Sequence, residues 1–284
     1  DIERDLVLIG LVGMMDPPRP DVRQAVETCR TAGVRTVMIT GDHASTARAI
    51  GRELDIFRPG DLVVTGAELD EMDDAALDEA ARNTSVFARV SPLHKLRIVR
   101  ALQHAGEVCA MTGDGVNDAP ALKAADIGVA MGITGTDVAK DASDMILMDD
   151  RFTTIVYAVR EGRRVFRNIQ KVVSFLVADN VAQIVVLLTA VALNWNAPLT
   201  AVMILWVNLA TASLPALALG VEPASRHIME HPPMRVNNLL DGPLARRVIF
   251  QGVFIAALAL VAFVIGQNAG SYELGCTMAF GVLG

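Results

Sequence analysis

Residues 111–120 read MTGDGVNDAP, and this stretch decides the fold because it joins a buried strand to a helix through a polar turn. The pattern of apolar residues predicts a strand over 108–111 and a helix over 119–124. Between them, Asp114 and Asp118 place two carboxylates four residues apart in a glycine-containing turn. Mg²⁺ in proteins is held by one or two carboxylates together with waters and phosphate oxygens. The turn therefore predicts a magnesium and phosphate site.

The first 150 residues repeat this alternation of short apolar runs with amphipathic segments. The alternation predicts a parallel sheet with helices on both faces, whose ligands bind beyond the carboxyl ends of the strands. The acidic, alanine-rich residues 61–83 predict a solvated helical face. Further strands are predicted over 6–13, 34–39 and 127–130, and further helices over 21–32, 45–54 and 93–104.

Two other groups of polar residues lie at the ends of predicted elements. Thr40, Gly41 and Asp42 follow the strand over 34–39, where a hydroxyl and backbone amides can hold phosphate oxygens. Lys95 follows a Ser-Pro pair and lies in the first turn of its helix, where an ammonium group can neutralise phosphate charge in a transition state. No GxxxxGK[ST] string occurs, which excludes a P-loop ATPase.

The two parts of the chain differ in charge and polarity. Residues 1–150 carry a formal charge of −11 and residues 151–284 a formal charge of +4. Hydrophobic residues make up 52% of the chain, which excludes an intrinsically disordered protein. The three cysteines form no CxxC pair, so neither zinc nor a disulfide framework is predicted.

The second part predicts a membrane domain, because its apolar runs reach the roughly 20 residues that span a bilayer core. The predicted spans cover 172–193, 199–221 and 248–266, with a fourth beginning near 277. Basic residues in the short connections fall on the side of the acidic part, which predicts that residues 1–171 are cytoplasmic. The predicted divisions are a soluble domain over 1–150, a stalk helix over 151–171 and a transmembrane domain over 172–284.

Polar residues inside membrane spans are costly and usually functional. The first span contains Asp179, Asn180 and Gln183, and the second contains Asn208 and Thr211. Pro215 has no N–H, which leaves the carbonyl of Thr211 without its helical donor. Such carbonyl, amide and carboxylate oxygens favour a cation path, and hydrogen bonding between helices is the alternative interpretation.

Together these motifs resemble the P-type cation-transporting ATPases, and within them the calcium-pump-like (P2) subgroup. The resemblance runs nearly end to end, and the string over 111–120 is highly specific for it. Other matching strings include DPPR at 16–19, MITGDH at 38–43, VSPLHK at 90–95, the DD pair at 149–150, LWVNL at 205–209 and LPALALG at 214–220.

The resemblance implies an α/β haloacid-dehalogenase-like cytoplasmic domain with a Rossmann-type parallel sheet, followed by an α-helical transmembrane domain. It implies that the γ-phosphoryl group of ATP is transferred to an aspartate and then hydrolysed, with Mg²⁺ as the metal cofactor. ATP, a transported cation and the lipid bilayer are the implied partners, and no nucleic acid is expected.

The same resemblance implies roles for individual residues. Asp114 and Asp118 are implied Mg²⁺ ligands, and Lys95 and Asp118 are implied to act in catalysis. The implied phosphate- and nucleotide-binding residues are Thr40, Gly41, Asp42 and Asn117. The implied ligands of the transported ion are Asp179, Asn180, Gln183, Asn208 and Thr211.

The sequence departs from the family at the phosphorylated aspartate. No Asp-Lys-Thr-Gly-Thr string occurs in the 284 residues, so this aspartate is expected outside the chain, and the chain alone is expected to be inactive. Asp16 follows a predicted strand, but two prolines follow it, and it is not expected to be the nucleophile.

A second departure concerns the ion. Gln183 and Ala212 stand where calcium pumps usually carry acidic ligands, which weakens a Ca²⁺ prediction because affinity depends on ligand charge. A monovalent cation, another substrate or loss of transport stay open. The alternatives to a pump are a non-catalytic membrane protein with the pump fold and a membrane-anchored phosphatase, which would need an Asp-x-Asp loop that is absent. The Arg- and Ala-rich composition predicts a bacterial cell membrane.

Overall fold

The computed structural model of the chain describes residues 7, 10, 17–233, 239 and 242–284. It divides into two compact units, the first ending at Tyr157 and the second beginning at Ala158. Apart from residues 7 and 10, the strand predicted over 6–13 lies outside the described residues, and so does Asp16.

The first unit contains two three-stranded parallel sheets among the described residues. The strands are β1 (Met38–Ile39), β2 (Leu62–Thr65), β3 (Thr84–Ala88), β4 (Ala110–Gly113), β5 (Ile127–Met131) and β6 (Met145–Leu147). The strand orders are β1-β3-β2 and β4-β5-β6, and every pairing is parallel. In the second sheet, Gly113 lies opposite Ala130.

Helices connect these strands, as parallel pairing requires. They are α1 (Val22–Thr31), α2 (Ala44–Glu53), α3 (Gly66–Glu71), α4 (Asp74–Asn83), α5 (Pro92–His104), α6 (Ala119–Ala124) and α7 (Asp137–Asp141). A 3₁₀ turn, Val116–Asp118, precedes α6. Their starts follow from local chemistry, since the side chains of Asp73, Ser91 and Thr136 each accept a backbone N–H of the first turn.

Helix α5 contributes to the cores of both sheets. Ile98 lies in a buried cluster with Phe87 of β3, and Val99 lies in a second cluster with Met111 of β4. Ile39, the last residue of β1, packs against both clusters. The ends of β1 and β4 and the start of α5 therefore belong to one packed unit.

The prediction of a helical face over 61–83 is wrong for its first residues. Leu62–Thr65 forms β2, which pairs with β3, and only then do α3 and α4 follow. The partner strand begins some twenty residues later in the chain, so the pairing is invisible in the local pattern. The charged faces of α3 and α4 are exposed as expected, while Leu69 and Leu77 are buried.

The second unit is helical throughout its described elements. Helix α8 (Phe152–Ala192) begins in the first unit and has 41 residues. It is followed by α9 (Ala201–Trp206), a π-helical segment (Val207–Thr211), α10 (Ser213–Gly220), α11 (Gly242–Ala269) and α12 (Tyr272–Leu283). Three stretches are long and apolar enough to cross a membrane, namely Phe152–Ala192, Ala201–Gly220 and Gly242–Ala269. At about 1.5 Å per residue α8 is roughly 60 Å long, twice a bilayer core, so it cannot lie wholly inside one.

Small residues bring these helices close together. A Cβ atom on Gly252 of α11 would lie 2.7 Å from the carbonyl oxygen of Ala178 in α8. Likewise, a Cβ atom on Gly266 would lie 2.7 Å from Cα of Gly275, where α11 meets α12. Replacement of these glycines would force the helices apart.

Candidate functional site

The carboxyl end of β4 carries an ion pair that is largely buried. Nζ of Lys95, in the first turn of α5, lies 2.5 Å from Oδ1 of Asp118, whose side chain is only 8% exposed. Oδ2 of Asp118 accepts the backbone N–H groups of Asp114 at 3.2 Å and of Gly115 at 3.1 Å. Asp118 therefore holds the turn closed and fixes the Lys95 ammonium beside it.

Two opposed influences act on the Asp118 carboxyl. Burial, the largest single influence, raises the pKa of Asp118, whereas the hydrogen bonds from Lys95 and from the backbone of Gly115 and Asp114 lower it. The hydrogen bonds together outweigh burial, so the pKa of Asp118 lies below its ordinary value. The carboxylate is therefore ionised at neutral pH and remains paired with Lys95.

Gly113 is required at the end of β4 because Asp118 packs directly against it. A Cβ atom at this position would lie 2.5 Å from Cβ of Asp118 and 2.9 Å from its Oδ2. At Gly115 the nearest atom to a Cβ would be the same Oδ2 at 3.6 Å, an ordinary contact. Of the two glycines in this turn, only the first is excluded from carrying a side chain.

Asp114 and Asn117 are exposed at the same strand end. Within the part of the chain that the structure describes, no hydrogen bond or ion pair engages the Asp114 carboxylate, whereas both oxygens of Asp118 are engaged. The same part contains no group of three His, Cys, Asp or Glu residues that could hold a metal. This donor set fits Mg²⁺, which needs few carboxylates and completes its shell with water and phosphate oxygens.

Thr40, Gly41 and Asp42 form a second turn, at the end of β1. The Thr40 hydroxyl donates to Oδ2 of Asp42 at 2.9 Å and accepts the Asp42 N–H at 3.1 Å. The turn is held from the other side by the segment after β3, where Arg89 N–H donates to Asp42 C=O at 3.0 Å and Val90 N–H to Thr40 C=O at 3.2 Å. Gly41 and Asp42 are exposed at the strand end, although the Asp42 N–H is already bonded to the Thr40 hydroxyl.

The structure brings Lys95, Asp114 and Asp118 together directly. No hydrogen bond between these three residues and the turn at Thr40 occurs among the described residues. The segment between β3 and α5 connects the two turns. Its backbone is hydrogen-bonded to the turn at Thr40, and the helix that follows it carries Lys95.

Asp150, whose role no sequence pattern indicates, anchors the loop after β5. Its carboxylate accepts the N–H groups of Ile133 at 2.9 Å and Thr134 at 2.8 Å and the Thr134 hydroxyl at 2.8 Å. The bond from Ile133 is the largest influence, and these bonds outweigh burial to lower the pKa of Asp150 to about 2. The loop leads to Thr136, whose N–H donates to the carbonyl of Asp114 at 2.8 Å. A carboxylate 36 residues downstream in sequence thus supports the turn.

In the second unit, three of the five predicted cation ligands meet. Nε2 of Gln183 donates to Oδ2 of Asp179 at 2.8 Å and to Oδ1 of Asn208 at 3.3 Å. Nδ2 of Asn208 donates back to Oε1 of Gln183 at 3.2 Å. Asp179 and Gln183 are buried in α8, and Asn208 lies in the π-helical segment, so the cluster joins two of the predicted spans.

Asn180 and Thr211 lie apart from this cluster. Asn180 is exposed and donates to the carbonyl of Leu176 in its own helix at 2.8 Å, so the structure does not join it to Gln183. Thr211 ends the π-helical segment, and it borders a cavity of about 930 Å³ that Asp179 and Pro215 also line. Asp179 therefore borders open space within this unit.

Comparison with protein families accounts for most of the chain. Residues 2–126 match the haloacid dehalogenase-like hydrolases, and residues 196–284 match the C-terminus of the cation transporting ATPases. A calcium-transporting ATPase 1 of Bacillus cereus is 51% identical over 267 residues, which cover 94% of this chain and 30% of the relative. The chain belongs to the P-type cation-transporting ATPases.

Similar P-type ATPases occur in other organisms, both bacterial and plant. A calcium-transporting ATPase of Bacillus subtilis is 47% identical, over 99% of this chain and 32% of the relative. The endoplasmic reticulum-type calcium-transporting ATPase 4 of Arabidopsis thaliana is 44% identical, over 95% of this chain and 26% of the relative. The chain spans about a third of the length of the curated relatives it matches.

Membership in the P-type ATPases confirms the predicted family and the predicted fold class. The chain has a haloacid-dehalogenase-like α/β unit with parallel sheets and helices long and apolar enough to cross a membrane, so it belongs to a multi-pass membrane protein. The relatives are named as transporters rather than as phosphatases.

Proposed function

We propose that this P-type ATPase chain supplies the Mg²⁺ and phosphate end of the catalytic site, and part of the cation path, of an ATP-driven pump. The pump works through an aspartyl-phosphate whose aspartate lies outside this chain. One observation carries the proposal: the Lys95–Asp118 pair closes the turn after β4 and leaves the Asp114 carboxylate exposed beside it.

Asp114 is the Mg²⁺ ligand in this proposal, and Asp118 organises the site. Both Asp118 oxygens are engaged, one by Lys95 and one by two backbone N–H groups, so its main contribution is to orient the turn. Bound Mg²⁺ would draw negative charge from the phosphate oxygens. The Lys95 ammonium stands ready to neutralise phosphate charge, and the exposed Asn117 amide completes this strand end.

The turn at β1 is the proposed phosphate and nucleotide contact. The Thr40 hydroxyl and the exposed Gly41 amide offer hydrogen bonds to phosphoryl oxygens of ATP or of the phosphorylated aspartate. Asp42 lies beside them with its carboxylate held by Thr40 at 2.9 Å. The position after a parallel strand, where the ligands of such sheets bind, supports this role.

The cluster of Asp179, Gln183 and Asn208 is the proposed centre of the cation site, with Asn180 and Thr211 as further ligands. Its oxygens are one carboxylate and two amide carbonyls, which suit a hard cation. Because the curated relatives are calcium-transporting, Ca²⁺ is the first ion to test. The neutral side chains of Gln183 and Ala212 make a monovalent cation the second.

The arrangement in the membrane follows from charge and hydropathy. We propose a phosphorylation domain over 1–150, a stalk over 151–171 and transmembrane helices over 172–284, with residues 1–171 in the cytoplasm. A bacterial cell membrane is the proposed location. The stalk and the first span are parts of one continuous helix, α8.

Replacement of Asp114 tests the catalytic part of the proposal. In a full-length protein that carries this chain, Asp114→Asn should abolish Mg²⁺-dependent phosphorylation from radiolabelled ATP and leave the protein folded. Asp141→Asn is the matched control, because Asp141 is an exposed carboxylate on α7 of the same unit and should label normally. Normal labelling of the Asp114→Asn protein would refute the Mg²⁺ role.

Replacement of Asp179 tests the cation site. Asp179→Asn should shift the ion concentration that gives half-maximal phosphorylation, while Thr189→Ala should not. Thr189 lies in the same helix, but its hydroxyl donates to the carbonyl of Val185 at 2.7 Å and serves its own helix. An unchanged ion dependence in Asp179→Asn would show that Asp179 only packs the helices.

A further inference from the structure

We propose that His94 is a positioning residue for Lys95. It ties the first turn of α5 to α3 and so fixes the direction from which the Lys95 ammonium reaches Asp118. The inference rests on the proposed function only for what that ammonium does to phosphate, because the contacts belong to this chain alone.

Both ring nitrogens of His94 are engaged, and the two contacts together define its tautomer. Nδ1 accepts the backbone N–H of Ser91 at 3.2 Å, so the ring proton is on Nε2. Nε2 donates to Oδ1 of Asp70 at 2.8 Å. The neutral tautomer with its proton on Nε2 satisfies both contacts at once, and the His94 side chain is only 8% exposed.

The bond from Ser91 completes a capping box. Oγ of Ser91 accepts the backbone N–H of His94 at 3.3 Å, while the ring reaches back to the Ser91 N–H. Two reciprocal bonds fix the first turn of a helix more firmly than one. Lys95 is the next residue, so the direction in which its side chain leaves the helix is set by this turn.

The bond to Asp70 is tertiary and crosses from α5 to α3. Helix α3 begins at Gly66, where a Cβ atom would lie 2.2 Å from the carbonyl oxygen of Arg89 and 3.2 Å from Cε1 of His94. The His94 ring therefore fills the gap between the start of α3 and the segment that leaves β3. That segment also holds the turn at Thr40, so the same ring stabilises the chain that links both phosphate-facing turns.

The cap at the start of α5 does not need the bond from His94 to Asp70. A glutamine at this position of a capping box also reaches back to the N-cap N–H, but it would not reach across to α3 as an imidazole does. The Asp70 side chain is 70% exposed, so its removal leaves the core intact. Replacement of Asp70 therefore separates positioning of Lys95 from folding of the unit.

The test is the reactivity of the lysine amines in the whole chain in detergent. The chain has four lysines, Lys95, Lys123, Lys140 and Lys171. Limiting acetic anhydride labels each amine at a rate that falls when the amine is paired, and mass spectrometry gives each rate relative to that of Lys123. The Asp118→Asn variant gives the reference labelling rate for a Lys95 amine that has lost its carboxylate partner.

Asp70→Ala and His94→Gln should raise the relative rate of Lys95 by about threefold to tenfold, which lies within the net contribution of one ordinary hydrogen bond. Asp70→Asn should stay within about twofold of the parent chain, because its amide oxygen still accepts from Nε2. Lys140, in the same unit, should keep its rate in every variant and shows that the unit is folded.

An unchanged Lys95 rate in Asp70→Ala, or an equal rise in Asp70→Asn, would overturn the proposal. A parallel rise at Lys140 would overturn it as well, because the effect would then come from opening of the unit. If Lys95 responds as expected but a full-length protein with Asp70→Ala keeps its affinity for inorganic phosphate in the presence of Mg²⁺, positioning stands and the proposed phosphate role of Lys95 fails.

Discussion

The two glycines after β4 offer a direct test of how the magnesium turn is built. Gly113→Ala introduces a Cβ atom that would lie 2.5 Å from Cβ and 2.8 Å from Cγ of Asp118. The Asp118 side chain must move, and its bonds to Lys95 and to the N–H groups of Asp114 and Gly115 cannot all survive. Gly115→Ala introduces the same atom two residues later, where its nearest neighbour is 3.6 Å away.

The expected magnitude follows from these contacts. Overpacking a tight site costs about 1–3 kcal/mol, and loss of one hydrogen bond to a charged group costs about 1.5–3 kcal/mol. Part of this is offset because alanine loses less chain entropy than glycine on folding, by about 0.5–1 kcal/mol. We expect Gly113→Ala to destabilise the turn by about 2–4 kcal/mol, and Gly115→Ala to change it by less than about 1 kcal/mol.

Hydrogen exchange measured by mass spectrometry reports this directly. The amides of Asp114 and Gly115 donate to Asp118, so their protection measures how often the turn opens. A cost of 2–4 kcal/mol corresponds to roughly 30- to 900-fold faster exchange. Equal exchange in Gly113→Ala and Gly115→Ala would refute the reasoning, because it would show that Asp118 does not pack against Gly113 in solution.

Three further predictions concern other parts of the chain. Asp150→Asn should lower the thermal unfolding midpoint at pH 7, and this difference from the parent chain should shrink as the pH falls from about 4 towards 2. The reason is that the pKa of Asp150 in the folded chain is lowered to about 2, and the carboxylate stabilises the fold only while it is ionised. A difference in midpoint that persists at low pH would contradict this. Gly252→Val should destabilise the helical unit by about 1–3 kcal/mol, measured by tryptophan fluorescence during heating. Gly281→Val is the control and should have no such effect, because no atom lies within 4 Å of its Cβ position. Equal effects of the two substitutions would count against close packing of α8 and α11. Burial and, to a lesser degree, Asp126 raise the pKa of the Cys109 thiol above its ordinary value. Its alkylation should therefore reach half its maximal rate at a higher pH than that of a free thiol, and Asp126→Asn should move that point down rather than leave it unchanged.

Local sequence patterns were sufficient for the elements whose signals are short-range. Helix α6 has the predicted bounds, and α5 begins one residue before the predicted start because Pro92 occupies its first position. The strands β2, β3 and β6 were not predicted, since each is short and is defined by pairing with a strand distant in sequence. Parallel pairing leaves no turn signal between partners, so only the folded unit reveals it.

The candidate sites divide in the same way. The sequence alone determined which residues carry the chemistry at the end of β4, because Asp114 and Asp118 lie in one five-residue turn after a strand. It could not determine their different contacts. Only the tertiary structure places Lys95 on Asp118 and leaves Asp114 exposed, since the lysine comes from a separate helix.

The membrane residues show the same limit, because helical periodicity relates residues on one helix but not between helices. The spacing of three and four residues predicts that Asn180 and Asp179 both lie near Gln183, but the structure joins only Asp179 to it. The family membership followed from strings of contiguous residues. Only the tertiary structure joins Gln183 to Asn208 and turns Asn180 towards the carbonyl of Leu176. Residue chemistry and local order are written in the sequence, whereas the contacts between elements depend on packing, which the fold alone decides.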